Sequence, residues 1–306
     1  MSDVPLSVGT LAAPEILRAP HRDRQRFIDS IVANGIDHVF VADHVSFHVG
    51  TGMDGLINAA TLTALSPQLK VVVGVYLLAL RHPVTVARQL ATIAESAPGQ
   101  LILGVGVGGE DRNEVAMCGV DPRTRGRRTD EALDVVRRLL DGEPVDHHGE
   151  FFDFERAWIQ PKPSVPIPLL VGGRAKQSLR RTARYGDGWL GIWSTPQRYA
   201  QTLADVANEA ASLDRPAPRH NGIQMWIGID DDPAHARARL AKAMQQFYRV
   251  PFERFEKYSP FGTAGAIAEA LAAYRDAGCR LFNLMPVAAD ADAGIAAVAE
   301  IKRLLS

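Results

Sequence analysis

The sequence has few cysteines, almost no net charge and no long apolar segment, and each shortage excludes a class of protein. Only two of its 306 residues are cysteines, Cys118 and Cys279, too few for a disulfide framework or a cysteine-rich metal site. Lysine and arginine number 34 against 35 acidic residues, so the formal charge of −1 gives no electrostatic support for nucleic-acid binding. The longest apolar run, Val71–Leu80, is much shorter than a membrane span.

What remains is the composition of an ordinary globular enzyme. Hydrophobic residues make up 46% and charged residues 23% of the chain, which excludes a disordered or fibrous protein. The first segment, Met1–Pro14, has neither the cationic start nor the apolar core of a signal peptide. We therefore expect a cytoplasmic enzyme that acts on a small molecule and binds neither nucleic acid nor membrane.

Short apolar segments alternate along the chain with longer amphipathic ones. Two amphipathic segments, Pro83–Ser96 and Thr129–Leu140, repeat apolar residues at helical spacing. Eight apolar segments predict strands, near Pro5–Gly9, Asp37–Ala42, Lys70–Leu77, Leu101–Gly106, Ile167–Val171, Gly188–Ile192, Ile223–Ile229 and Arg280–Met285. Strands that are apolar throughout indicate a parallel sheet buried on both faces. The count predicts an α/β fold, a single (β/α)8 TIM barrel over residues 1–306, with a doubly wound sheet as the alternative.

Two stretches interrupt this repeat. Asp141–Pro166 is rich in proline, glycine and aromatic residues, and Tyr248–Gly262 is aromatic and charged. We expect both to be insertions at the C-terminal face of the barrel, where active sites and lids lie. An aromatic wall near the mouth is predicted from Phe151, Phe152, Trp158 and Trp193, which alternatively only pack the insertion.

A glycine-rich tract spans the end of the fourth predicted strand. Gly104, Gly106 and Gly109 have the spacing of a dinucleotide-binding fingerprint. That fingerprint also needs a helix that opens directly on the glycines, whereas the next clear helical pattern here follows Pro122. The tract therefore favours another use, in which residues without side chains let a flat ring lie against the backbone.

A second glycine pair leads from a strand directly into a helix. Pro168–Arg174 precedes the predicted helix Ala175–Tyr185. The N–H groups of Gly172, Gly173 and Arg174 would lie at the start of that helix, where the helix dipole favours an anion such as phosphate. The Arg174 side chain would add a charged contact. The alternative is an ordinary strand–helix turn.

Asp43 and His44 end the second predicted strand, where a barrel enzyme carries an acid or base. Asp43 either contacts a cofactor or caps the following turn. His44 takes part in catalysis, contacts the cofactor or is a core histidine. His48 lies four residues on, but a zinc site needs a third ligand in a comparable context, so no metal site is predicted. Glu110, after the fourth strand, is the second candidate acid or base, or an exposed loop carboxylate.

Five segments, in this order, resemble the bacterial-luciferase-like flavin and deazaflavin enzymes: Val39–His44, Val73–Pro83, Leu101–Gly109, Ile167–Arg174 and Tyr185–Trp189. The resemblance implies a (β/α)8 barrel with a flavin-like ring at its mouth. It also implies a non-prolyl cis peptide in a bulge of the third strand, behind the ring, which here would be Gly74–Val75. The residues expected to contact the cofactor are Asp43, Gly74, Val75, Gly106, Val107, Gly108, Gly172, Gly173 and Arg174.

The family has two branches. One binds reduced FMN and activates oxygen with a separate reductase, and its luciferases hold phosphate with an arginine where this chain has Val107. The other binds coenzyme F420, a deazaflavin, and transfers hydride without oxygen. Its sugar-phosphate dehydrogenases use a histidine and a glutamate at places that match His44 and Glu110, but they have a tryptophan where this chain has His48. The resemblance therefore leaves the substrate open.

The resemblance favours an oxidoreductase that transfers hydride between coenzyme F420 and a small organic substrate. His44 would move a proton and Glu110 would be the second acid or base. The resemblance also implies a homodimer. Two alternatives stay open: an FMNH2-dependent monooxygenase with a reductase partner, and a barrel that binds flavin or F420 without turnover.

Overall fold

Strands and helices alternate along the computed structural model, which describes residues 4–108 and 111–306. The strands are β1 Ser7–Leu11, β2 His38–Val41, β3 Lys70–Leu77, β4 Leu101–Gly106, β5 Val145–His148, β6 Asp153–Ala157, β7 Leu169–Gly172, β8 Gly188–Ile192, β9 Gly222–Ile229, β10 Phe261–Gly262 and β11 Leu281–Val287. The helices are α1 Pro14–Arg18, α2 His21–Ala33, α3 Gly55–Thr63, α4 Pro83–Ser96, α5 Arg112–Met117, α6 Arg125–Leu140, α7 Lys176–Tyr185, α8 Pro196–Ala211, α9 Pro233–Tyr248, α10 Ala264–Asp276 and α11 Ala291–Leu305. Short 3-10 turns cover Leu78–Leu80, Phe252–Arg254 and Glu256–Tyr258.

This order of elements is that of a (β/α)8 barrel, which confirms the predicted fold class. Outside the β5–β6 hairpin and the short β10, eight described strands remain in the large sheet, and each is followed by at least one helix. Three predicted strands, β3, β4 and β8, and the helix α4 have the predicted bounds. The helix α6 begins at Arg125 and not at Thr129, because its first turn is polar and carries no apolar period.

The chain divides into two compact units. One unit comprises the chain up to Phe40 together with Gly188–Ser306, and the other comprises Val41–Asp187. The prediction of a single domain over residues 1–306 stays a prediction. Across the part of the chain that the structure describes, every helix is too short or too polar to cross a bilayer.

The first unit contains parallel pairs β1–β2, β1–β11, β11–β9, β9–β8 and β9–β10. A buried polar chain crosses these strands: Ser7 Oγ lies 2.8 Å from Nδ1 of His38, whose Nε2 lies 2.8 Å from Oδ1 of Asn283. His38 and Asn283 are fully buried. Their mutual bond pairs Nε2 of His38 with Oδ1 of Asn283, as buried polar groups require, while Nδ2 of Asn283 has no hydrogen-bond partner among the described residues.

The second unit holds the candidate site, because it contains β3, β4 and β7 side by side. Val71 pairs with Leu101, and Leu103 pairs with Leu169, so the three strands are parallel and in register. The pairing of β3 with β4 is interrupted by a bulge between Val73 and Tyr76. The carboxyl ends of these strands therefore lie along one edge, the edge at which barrel enzymes place their chemistry.

The first predicted insertion, Asp141–Pro166, forms the hairpin β5–β6. Its apolar residues pack on the outer faces of α4 and α6 in a cluster that contains Ala87, Ala91, Val135, Leu139, Val145 and Ile159. Near its turn, the backbone N–H groups of Phe151 and Phe152 donate to the carboxylate of Glu131 on α6. The hairpin thus covers α4 and α6.

The four residues of the predicted aromatic wall divide between the two units, since Phe151, Phe152 and Trp158 lie in the second unit and Trp193 in the first. Phe152 lies beside the guanidinium of Arg128, with 4.4 Å between that group and the ring centre. Trp158 is 58% exposed and donates to the carbonyl of Gly142, so it belongs to the hairpin. Trp193 instead packs in the first unit against residues of and around the second insertion. That aromatic cluster contains Trp193, Trp226, Tyr248, Phe252, Phe255 and Phe261.

Candidate active site

Both carboxylate oxygens of Asp43, the first residue of the site, accept hydrogen bonds from other residues of the protein. The two oxygens of its buried carboxylate accept hydrogen bonds from Nη1 and Nη2 of Arg81 at 2.7 and 2.8 Å. The same oxygens accept from the backbone N–H groups of Leu77 and Gly55, both at 2.9 Å. Of the two predicted roles, the geometry favours the structural one, because these bonds occupy the carboxylate. Asp43 joins the end of β2 to the end of β3 and the start of α3.

Burial and charge act in opposite directions on this pair. Burial raises the pKa of Asp43, and the Arg81 guanidinium and the Leu77 and Gly55 N–H groups offset only part of that rise. Burial also lowers the pKa of Arg81, but the nearby Asp43, Tyr76 and Asp54 outweigh it and raise that pKa overall. The guanidinium therefore remains a permanent cation beside the site.

His44 is paired with a carboxylate that the sequence reasoning did not select. Nδ1 of His44 lies 3.0 Å from Oε2 of Glu114, whose side chain is only 3% exposed. Oε1 of Glu114 accepts from the backbone N–H groups of Val45 and Ser46, at 2.7 and 3.1 Å. The histidine side chain is 29% exposed. A carboxylate at Nδ1 favours the tautomer with a proton on that nitrogen and leaves Nε2 as the nitrogen directed to other partners.

Glu114 lies on the short helix α5, which holds the loop after β2. Asp111 caps this helix, because its Oδ1 accepts from the backbone N–H groups of Asn113 and Glu114. Its Oδ2 accepts from the backbone N–H of His48 at 2.7 Å, and this bond contributes most to lowering the pKa of Asp111. The ring of Phe47 lies between the two histidine rings, 4.3 Å from that of His44 and 3.9 Å from that of His48.

A sequence signal for Glu114 exists. An N-cap residue followed three positions later by glutamate marks a helix start, and Asp111 and Glu114 have that spacing. In an ordinary capping box the glutamate bonds back to its own cap, but here it bonds to the loop that carries His44. Glu110, the predicted second acid or base, lies outside the described residues, as does Gly109.

The peptide bond between Gly74 and Val75 is cis, as the resemblance implied. The half-buried side chain of Val75 fills the space in front of two glycines. A Cβ on Gly106 would lie 2.4 Å from one Val75 methyl, and a Cβ on Gly172 would lie 3.0 Å from the other. Gly106 is itself buried, so a ring at this edge would meet Val75 and not the Gly106 backbone. Val107 and Gly108 follow as partly exposed residues.

The second glycine pair leads into α7, as predicted, although the helix begins at Lys176 and not at Ala175. Gly172 and Gly173 are partly exposed, and Gly173 has a φ of +115°, a conformation that a residue with a side chain rarely adopts. Ala175 occupies the cap position and offers no side-chain bond to the first turn. The exposed Arg174 lies directly before it. The glycine pair therefore leads directly into the N-terminus of α7.

The geometry bears on two other hypotheses. After Gly106 the next described helix is α5, which begins only at Arg112, so the glycine tract does not open directly on a helix as the dinucleotide fingerprint requires. Within residues 4–108 and 111–306, no three histidine, cysteine, aspartate or glutamate side chains are grouped to hold a metal ion.

Comparison with known proteins fits this architecture. The model of the luciferase-like monooxygenase family matches residues 10–280. The chain belongs to that family. A solved structure of an F420-dependent secondary alcohol dehydrogenase, in complex with an F420–acetone adduct, superposes with a TM-score of 0.86 over 99% of both chains. At 20% identity this likeness shows the shared fold.

Several curated relatives with closer sequences carry F420-dependent names. A protein of Beutenbergia cavernae named F420-dependent glucose-6-phosphate dehydrogenase is 32% identical over 212 residues, which cover 67% of this chain and 62% of that one. A protein of Mycobacterium tuberculosis named F420-dependent hydroxymycolic acid dehydrogenase is 32% identical over 187 residues, which cover 58% and 51%. The chain thus spans between about half and two thirds of the length of these luciferase-like relatives.

Proposed function

We propose that this member of the luciferase-like family is an F420-dependent oxidoreductase that transfers hydride between the cofactor and a small hydroxyl- or carbonyl-bearing substrate. The observation that carries the proposal is the pairing of His44 with the buried Glu114 at the strand end where an acid or base is needed. Relatives named as F420-dependent dehydrogenases of a sugar phosphate and a hydroxymycolic acid support the cofactor and the reaction type.

The residues at the strand ends fit a deazaflavin nucleotide. Val75, Val107 and Gly108 would face the ring with small apolar side chains or with none. Gly172, Gly173 and Arg174 would hold the phosphate, because they lie in the turn directly before α7, and the N-terminus of a helix favours an anion. When bound, F420 supplies a ring carbon that gives or takes hydride, and the protein supplies orientation and a path for the proton.

His44 would perform the proton transfer. With Nδ1 held by Glu114, Nε2 can accept the proton of a substrate hydroxyl during oxidation and return it to the oxygen during reduction. The Glu114 carboxylate would stabilise the charge that appears on the imidazole, as the aspartate does in a Ser-His-Asp triad. Glu110 remains the proposed second acid or base.

A paired titration and a His44→Ala variant test this proposal. Purified protein is titrated with F420 and with FMN, each oxidised and reduced, and hydride exchange is measured against a panel of alcohols and ketones. We expect F420 to bind more tightly than FMN, and His44→Ala to lose most turnover while its F420 affinity changes little. Preference for reduced FMN, with oxygen consumption, would replace this proposal by a monooxygenase that needs a separate reductase. Binding of F420 without hydride exchange would indicate a barrel that binds the cofactor without turnover.

We also propose that the protein acts in the cytoplasm as a homodimer. Cys118 and Cys279 are both free thiols, which is typical of proteins in a reducing compartment. The dimer rests on the family resemblance. Light scattering of the purified protein tests it, and a mass of one 33.2 kDa chain would refute it.

A further inference from the structure

Arg81 joins three segments that meet at the site. Its Nη1 and Nη2 bond to both oxygens of Asp43, at the end of β2, and its Nη2 also lies 3.1 Å from Oδ2 of Asp54, the cap of α3. Its guanidinium carbon lies 4.3 Å from the ring centre of Tyr76, and Nη1 is 3.2 Å from the carbonyl oxygen of Leu77. A single cation therefore contacts the end of β2, the start of α3 and the end of β3.

Both halves of the proposed site are attached to these segments. His44 directly follows Asp43 in the chain, and Val75 directly precedes Tyr76. Asp43 adds a third connection, because its Oδ2 also accepts from the backbone N–H of Leu77. The proton-transfer residue and the bulge that would face the ring are thus each one residue away from groups that Arg81 binds.

We propose that Arg81 is a positioning residue, which holds His44 and the Val75 bulge at the separation that hydride and proton transfer require. The proposal deepens the proposed function and rests on it. The Arg81 side chain is 17% exposed and is committed to Asp43, Asp54 and Tyr76, so it acts through them and not on the substrate. Two parallel bonds fix both the distance and the angle between partners, which one ammonium group cannot do.

The variants Arg81→Ala and Arg81→Lys test the proposal, with Arg88→Ala as the matched control. Arg88 lies on the adjacent helix α4 and is exposed, and its Nη1 donates to the carbonyl of Gln160. We expect kcat to fall about 100-fold in Arg81→Ala, the cost of a displacement of about 1 Å between reacting groups, with KM changed much less. Added guanidinium should restore part of the kcat of Arg81→Ala. Arg81→Lys should stay impaired and Arg88→Ala should resemble the wild type.

A second measurement needs neither cofactor nor substrate. The Nδ1 proton of His44, shared with Glu114, should give a slowly exchanging NMR signal in the wild type and in Arg88→Ala. We expect this signal to weaken or disappear in Arg81→Ala and Arg81→Lys, because the backbone next to His44 is released. If Arg81→Ala does not fold, Arg81→Lys supplies both readouts.

The outcomes separate this proposal from the proposed function. A wild type that exchanges no hydride with F420 would refute the function, and the NMR signal would still decide the role of Arg81. Retention of that signal in both Arg81 variants would overturn the positioning role. So would a guanidinium effect that raises the midpoint of urea unfolding of Arg81→Ala without raising kcat, since that result indicates a purely structural contact.

Discussion

Replacement of Glu114 by glutamine tests the central contact of the site with little change in shape. The amide oxygen can still accept from the backbone N–H groups of Val45 and Ser46, but the amide nitrogen would then face Nδ1 of His44 and donate to it. Nδ1 must lose its proton to accept that bond, so the proton moves to Nε2. His44 would present a donor where the proposed reaction needs an acceptor.

The magnitude follows from a comparable change. In a Ser-His-Asp triad, replacement of the aspartate by asparagine lowers kcat by about 10⁴, because the histidine takes the wrong tautomer. We expect Glu114→Gln to lower kcat by a factor of about 10²–10⁴, which corresponds to a rise of about 3–5 kcal/mol in the activation free energy. Because two bonds lose their charge assistance, we also expect the free energy of unfolding to fall by about 2 kcal/mol.

The assay measures F420 turnover by absorbance, F420 affinity by titration and stability by urea unfolding. Glu269→Gln is the control, since Glu269 is exposed on α10 in the other unit. The F420 affinity of Glu114→Gln should match that of the wild type. Turnover within tenfold of the wild type would refute the assigned role, because the tautomer of His44 would then not matter.

Two further changes test the proposed cofactor site and the contact between α6 and the β5–β6 hairpin. Gly106→Ala would place a methyl group 2.4 Å from a methyl of Val75, so F420 affinity should fall at least tenfold. Gly265→Ala is the control and should leave the affinity unchanged, because its new methyl group would lie 3.8 Å from its nearest neighbour. Equal affinities of the two variants would contradict the proposed cofactor site. Burial raises the pKa of Glu131, but the bonds from His147 and the hairpin N–H groups outweigh it and lower the pKa overall. The contribution of Glu131 to stability is therefore present above its unfolded pKa of about 4.3 and is lost as pH falls through its lower folded value. Urea unfolding from pH 6 to pH 3 should show this loss in the wild type and a smaller one in Glu131→Gln.

The parts of the fold that the sequence predicted are those set by local pattern. Apolar β-branched residues gave the bounds of β3 and β4, and Pro83 with the apolar period gave those of α4. The cis bond at Gly74–Val75 came from the family resemblance and not from any local rule.

The parts that the sequence did not predict depend on contacts between distant residues. His44 and Glu114 are 70 positions apart, and α5 has only 6 residues, too few to show an apolar period. Arg81 and Asp43 are 38 positions apart, and neither residue alone reveals that it is paired. The cap spacing of Asp111 and Glu114 predicts a helix start, but it does not say that the glutamate faces a different loop.

The contacts of α5 explain how His44, the proposed proton-transfer residue, can lie on a loop and keep a fixed geometry. A histidine on a free loop would sample many orientations, and those other than the productive one would lower the reaction rate. Here the loop after β2 is held from two sides: Asp43 and Arg81 attach its first residues to β3, and Glu114 and Asp111 attach the following residues to α5. The His44 side chain takes part in these contacts through Nδ1, which leaves Nε2 for the proposed substrate. The residue at position 48 can therefore differ from the tryptophan of sugar-phosphate dehydrogenases while His44 keeps its contacts. In the proposed mechanism, substrate choice and proton transfer can thus be changed separately.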